Sequence, residues 1–115
     1  MLEHIHVEIK DVARLKVINW QFVEVCNVVC NVFDEQNVVP VLTGASYEDY
    51  PAGSDHAMGL AWDWRIWDLV DVPLAVGRIY LELFSVSDAF YVLYGDPDHI
   101  DHFHVGYNPD YRKSR

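Results

Sequence analysis

Basic side chains are scarce in this chain: eight lysines and arginines stand against eighteen aspartates and glutamates, a formal net charge of −10 over 115 residues. A surface so biased repels phosphate backbones and anionic lipid, so no nucleic-acid partner is expected. Long apolar runs are missing as well. No stretch approaches the roughly 18–20 uninterrupted apolar residues that span a bilayer, and membrane insertion is not expected. The opening MLEHIHVEIK lacks a basic segment followed by an apolar core and a small-residue cleavage site. Without that secretory pattern, the expectation is synthesis in a cytoplasm with no visible signal peptide. Cysteine is limited to Cys26 and Cys30. Four apart in VCNVVCN, which reads as helix, they share a face on a backbone that rarely suits a disulfide. They read as buried thiols, since no second cysteine pair exists to complete a metal site.

Linkers are also missing: no repeat, low-complexity run or Pro/Gly/Ser-rich segment divides the chain. The apolar share of 51% and aromatic share of 14% suit one globular core, so residues 1–115 are expected to form a single domain of open oligomeric state. Leu15, Ile18, Phe22, Val25, Val29 and Val32 recur in steps of three and four, predicting a helix from Asp11 to about Gln36. Its many valines have weak helix propensity, so packing must hold it. VVPVLTG at 38–44 reads as a strand with Pro40 near an edge or bulge. ASYEDYPAGS reads as a loop, MGLAWDWRIW as a strand, and Asp71 with Pro73 as the start of a helix reaching about Val86. AFYVLYG and HFHVGY read as two further strands joined through DPDHID. The order helix, strand, strand, helix, strand, strand predicts an α+β domain with a small antiparallel sheet and flanking helices.

The chemistry concentrates in two fragments. SDHAMGLAWD at 54–63 contains His56 and Asp63, and HIDHFHVGY at 99–107 contains His99, His102 and His104. Imidazole nitrogen and carboxylate oxygen suit zinc, and a catalytic zinc site uses three protein ligands while leaving the fourth position open. His56, Asp63 and one late histidine make such a set. On an extended segment, Gly59 and Ala61 would keep space open around the ligands. The bland alternatives are a solvated Asp63 paired with Arg65 and ordinary hydrogen-bonded histidines. His4 and His6 repeat the H-x-H pattern near a terminus, and read as a decoy. Trp62, Trp64 and Trp67 read first as core, with substrate stacking as the alternative. Arg65 and Arg78 are the cations available to a peptide carboxylate, against ordinary salt bridges.

The pattern Ser54, His56, Gly59, Ala61, Asp63, written S-x-H-x-x-G-x-A-x-D, with His102-Phe103-His104 downstream, closely resembles the zinc D-Ala-D-Ala carboxypeptidase and L-alanyl-D-glutamate endopeptidase family. The resemblance covers residues 38–107, and small phage endolysins of that family are of similar size. It implies that His56, Asp63 and His104 bind Zn2+, with the site on the sheet. It further implies that Asp101, three before the last ligand, carries the proton, that His99 and His102 steady the oxyanion, and that Ser54 lies in the substrate groove. Arg65 remains the candidate for the substrate carboxylate. A rival register takes His102 as the ligand and puts His99 three before it, losing the carboxylate base.

The expected activity is zinc-dependent hydrolysis of peptidoglycan stem peptides at the bacterial cell wall, as in phage lysis, with no serine or cysteine nucleophile. The alternative expectation is a zinc-holding binding module on the same scaffold, a phage structural or host-interaction protein without the chemistry. A third, weaker one is an acidic interaction domain without metal.

Overall fold

The computed structural model describes residues 6–110 except 14, 16–17, 46–54 and 57. The elements are β1 (Glu8–Ile9), a short 3-10 turn (Asp11–Ala13), α1 (Trp20–Asp34), β2 (Val41–Gly44), β3 (Ala61–Arg65), α2 (Val72–Val86), β4 (Phe90–Leu93) and β5 (His102–Tyr107). The strands form one sheet in the order β1-β2-β3-β5-β4. Its four longer strands pair antiparallel, and β1 adds a short parallel edge beside β2. The domain is α+β, as the alternation of patterns predicts.

Helix α1 starts later than the apolar spacing predicts. The Asn19 side chain accepts a hydrogen bond from the Phe22 backbone N–H at 2.8 Å, which caps the helix. Leu15 and Ile18 therefore precede the helix, and Ile18 is exposed. The helix ends where Asn37 turns left-handed at φ 59°, a conformation that asparagine tolerates better than most residues. Helix α2 follows its sequence signals closely: the Asp71 side chain accepts from Leu74 N at 3.1 Å and Pro73 sits in the first turn.

Alternation along the strands separates two faces. Trp62 and Trp64 on β3, Phe103 and Val105 on β5, Phe90 on β4 and Leu42 on β2 are buried in one cluster with Phe22, Val25, Val29 and Phe33 of α1 and Ala75, Ile79 and Leu83 of α2. Both helices thus cover one face, with Phe22 against Trp62 and Phe33 against Phe103. The intervening residues, Asp63 and Arg65 on β3 and His102, His104 and Gly106 on β5, fall on the other face. A register shift between Leu42 and Gly44 bulges β2 just after Pro40, and Thr43 donates from Oγ1 to the Asp63 carbonyl at 3.3 Å. Among the described residues, no helix is long and apolar enough to cross a membrane.

Candidate metal centre

Asp63 and His104 are direct partners across the β3–β5 ladder, and Arg65 pairs with His102 one step along. Residues opposite one another in antiparallel strands bring their Cβ atoms to about 5 Å, so the pairing alone carries the Asp63 carboxylate to the His104 ring. His104 Nδ1 lies 2.9 Å from Asp63 Oδ1. The third member comes from outside the sheet. His56 sits in a tight turn in which Met58 N and Leu60 N donate to the Asp55 carbonyl and Gly59 N donates to the His56 carbonyl. That turn brings His56 Nε2 to 3.3 Å from Asp63 Oδ2 and its ring to 4.8 Å from that of His104.

Gly59 serves this turn by its backbone rather than by leaving room beside a strand. It precedes β3 and has φ 72°, where a Cβ would be strained, and its carbonyl accepts from Asn19 Nδ2 at 3.0 Å. Ala61, by contrast, lies in β3, fully buried opposite Gly106.

The ligand atoms of His56, Asp63 and His104 all lie within 4.8 Å of one another, and this group can hold a metal ion. Both histidines are buried. Burial opposes the charged form of Asp63, but hydrogen bonds with His104 and then His56 outweigh it and hold the carboxyl well below the ordinary range. Two imidazole nitrogens and a carboxylate oxygen are a donor set that suits a divalent metal ion, so the residues present fit such an ion.

The remaining candidates surround this group. His102 shares the His104 face of β5, with Nε2 3.9 Å from Asp63 Oδ1 and Nδ1 2.7 Å from Asp101 Oδ1. That contact, first among the causes, lowers the Asp101 pKa, while the carboxylate itself stands in solvent. His99 is steered by Asp96, whose Oδ1 is 2.6 Å from its Nδ1, and its ring stands 5.2 Å from His102 and 5.4 Å from His104. Of the two histidines in H-x-H, His104 belongs to the metal-binding group, and His102 bridges it to Asp101. A cavity of about 180 Å³ lined by Thr43, Arg65, Trp67, Asp101 and His102 opens beside them.

Arg65 lies over the exposed Trp67 ring, its guanidinium carbon 4.0 Å from the centroid. Trp62 and Trp64 are buried in the core on the opposite face and are not available for stacking on a ligand. Arg78 pairs with Glu35 at the end of α1 and with Glu82 one turn on in α2, ordinary surface salt bridges. Ser54 and His4 lie outside the described residues. Cys26 and Cys30 are free thiols on α1, outside the metal-binding group; Cys26 is buried as expected, whereas Cys30 is only half-buried.

Three residues at the site carry no motif. Tyr91 donates a hydrogen bond to Asp55 Oδ2 and reaches His104 Nε2 at 3.5 Å, and Asn108 Nδ2 donates to Asp55 Oδ1 at 3.0 Å. Asp55 is adjacent to His56 in sequence, but only the folded chain joins positions 55, 91 and 108. Comparison with protein-family models, with curated proteins and with solved structures gave no match to this chain.

Proposed function

We propose that this chain is a zinc-dependent peptidase that hydrolyses peptide bonds in bacterial peptidoglycan stem peptides, as a phage lysis enzyme does. The observation that carries the reading is the His56–Asp63–His104 group, with both histidines buried, near an open cavity lined by the Asp101 carboxylate, the His102 imidazole and Arg65, with the His99 ring 5.2 Å from His102. The S-x-H-x-x-G-x-A-x-D motif with the downstream H-x-H supplies the substrate class.

Zinc held by His56, Asp63 and His104 would supply a Lewis acid for the scissile carbonyl and the attacking water, bringing that water's pKa near about 7. Asp101, held ionised by its hydrogen bond with His102, accepts the water's proton and returns it to the leaving amine. His102 and His99, whose rings lie 5.2 Å apart beside the group, are the N–H donors assigned to the negative oxygen, a contribution of about 3 kcal/mol per donor. Arg65, braced on Trp67, offers a planar fork to a substrate carboxylate.

A second reading, a zinc-holding binding module without catalysis, is favoured by one observation. The Asp101 side chain is 76% exposed and engaged with His102, whereas a working base gains from a dry site. The two readings part in one experiment. Zinc-loaded protein is incubated with purified peptidoglycan, and released fragments are identified by mass spectrometry. The peptidase reading expects chelator-sensitive cleavage of wall peptides, none of casein, and about one zinc per chain. Asp101→Asn should keep the zinc and lose a factor of about 10² to 10⁴ in rate. His104→Ala and His56→Ala should lose the zinc. Zinc binding with no cleavage by the parent establishes the binding module instead, and equal cleavage of casein points to a general protease.

A further inference from the structure

The Tyr91 phenol ring lies on the site face of the sheet, stacked on the His104 imidazole with centroids 5.7 Å apart and planes at 28°. Its place there depends on β5. Tyr91 is the cross-strand partner of Gly106, and a Cβ built on Gly106 would fall 2.2 Å from Tyr91 Cζ and 2.4 Å from its hydroxyl oxygen. Glycine at 106 is what lets the phenol lie flat across β5 and reach the ring of His104.

The hydrogen bonds around that hydroxyl have a direction. Asp55, as a carboxylate, can only accept, so Tyr91 must donate to it. Asn108 Nδ2 donates to the second Asp55 oxygen at 3.0 Å, and Asn108 is itself anchored by its backbone N–H to the Ala89 carbonyl. With its proton committed to Asp55, the Tyr91 oxygen faces His104 Nε2, 3.5 Å away, as an acceptor. Nδ1, 2.9 Å from the acceptor-only carboxylate of Asp63, points its hydrogen at Oδ1 in the metal-free protein; a metal taken up by Nδ1 would displace that hydrogen, and the Tyr91 oxygen then favours the form with hydrogen on Nε2.

We propose that Tyr91, oriented by Asp55 and Asn108, is a positioning residue that sets the ring orientation and tautomer of His104 for metal binding through Nδ1. This rests on the reading of His56, Asp63 and His104 as a metal site. Protein partners behind a ligating histidine contribute about 10- to 100-fold to metal affinity, which sets the scale of the effect.

The test measures zinc affinity of the full chain by competition with a chromophoric chelator, alongside the imidazole 15N and Nε2–H NMR signals of His104. Tyr91→Phe keeps the ring, its stacking and its fit over Gly106, and removes only the hydroxyl. It should weaken zinc binding about 10- to 100-fold and, in the zinc-loaded protein, speed exchange of the His104 Nε2–H with water, while the thermal midpoint of the metal-free protein stays close to that of the parent. Asp55→Asn supplies an independent arm: its amide can donate to Tyr91, which then turns its own proton toward Nε2 and opposes the tautomer needed. That variant should also weaken zinc binding. If the parent binds zinc but both variants match its affinity within twofold, the positioning role is overturned and the metal site stands. If the parent binds no zinc, or His104→Ala binds it as tightly as the parent, the metal reading itself fails and takes this proposal with it.

Discussion

Cys26 and Cys30 show how far neighbouring residues of one type can differ from reactive ones. Burial first, and then the adjacent Cys30, pushes the Cys26 thiol up to about 12. Cys30 is also raised by burial, although it donates to the His6 carbonyl at 3.6 Å. Only the thiolate is nucleophilic, so at pH 8 folded Cys26 should react with iodoacetamide at least about 10³-fold more slowly than an ordinary cysteine of pKa about 8.5. Peptide mapping after alkylation in buffer and in urea checks this; rapid labelling in buffer would show that the burial does not protect it. At this scale the sequence is informative about residue type: the cysteines read as buried thiols, which holds for Cys26 while Cys30 is only half-buried, and the fragments at 54–63 and 99–107 supply the three residues that the fold brings together. It was silent on Asp55, Tyr91 and Asn108, because an aspartate, a tyrosine and an asparagine carry no pattern until the fold joins them.

Among the elements, those governed by local chemistry were legible and those governed by distant partners were not. The Asp71 cap and Pro73 mark the start of α2 from within a few residues. The apolar steps through Leu15 and Ile18 extend the period of α1 backwards, yet the Asn19 cap starts the helix at Trp20. A periodic pattern records which side chains could face a core, and a cap decides where the backbone begins to coil. Strand β1 has only Glu8 and Ile9, both exposed, and it exists through pairing with Val41 and Leu42. No two-residue pattern announces that. Strands β4 and β5 depend on a contact equally invisible in sequence, the fit of Tyr91 over Gly106. Gly106→Ala should therefore destabilise the protein by about 1–3 kcal/mol through overpacking, read from urea unfolding midpoints. Placed in a Tyr91→Ala background, the same substitution should lose most of its penalty. A full penalty in both backgrounds would place the strain in the backbone of β5.

For the molecule as a whole, the metal-binding group ties the turn at 55–60 to the sheet, and Asp63 is the shared partner of both histidines. Its carboxyl is held below the ordinary range in the folded state, so the sign of the pH dependence follows. A depressed folded pKa contributes stability that is fully present above the unfolded value of about 3.9 and lost as pH falls below it. In metal-free protein, Asp63→Asn should cost about 1.5–3 kcal/mol at pH 6, the range for hydrogen bonds to a charged group. The gap should narrow as pH falls from about 4, and urea midpoints of parent and variant across that range check it. A gap that stays constant to pH 2 would mean that the histidines do not favour the ionised form. The sheet that carries Asp63 also limits how the chain can change in length. Along β5, His102, His104 and Gly106 serve the site while Phe103 and Val105 serve the core. Removing one residue inside this strand would exchange the two sets, putting imidazoles beneath Phe33 and a phenyl ring into the metal-binding group. Insertions in the connection at 94–101 leave that strand assignment untouched, but only those ahead of Asp96 also spare the placement of His99 and Asp101, so divergence in length is confined to the start of the connection and to steps of two within the strand.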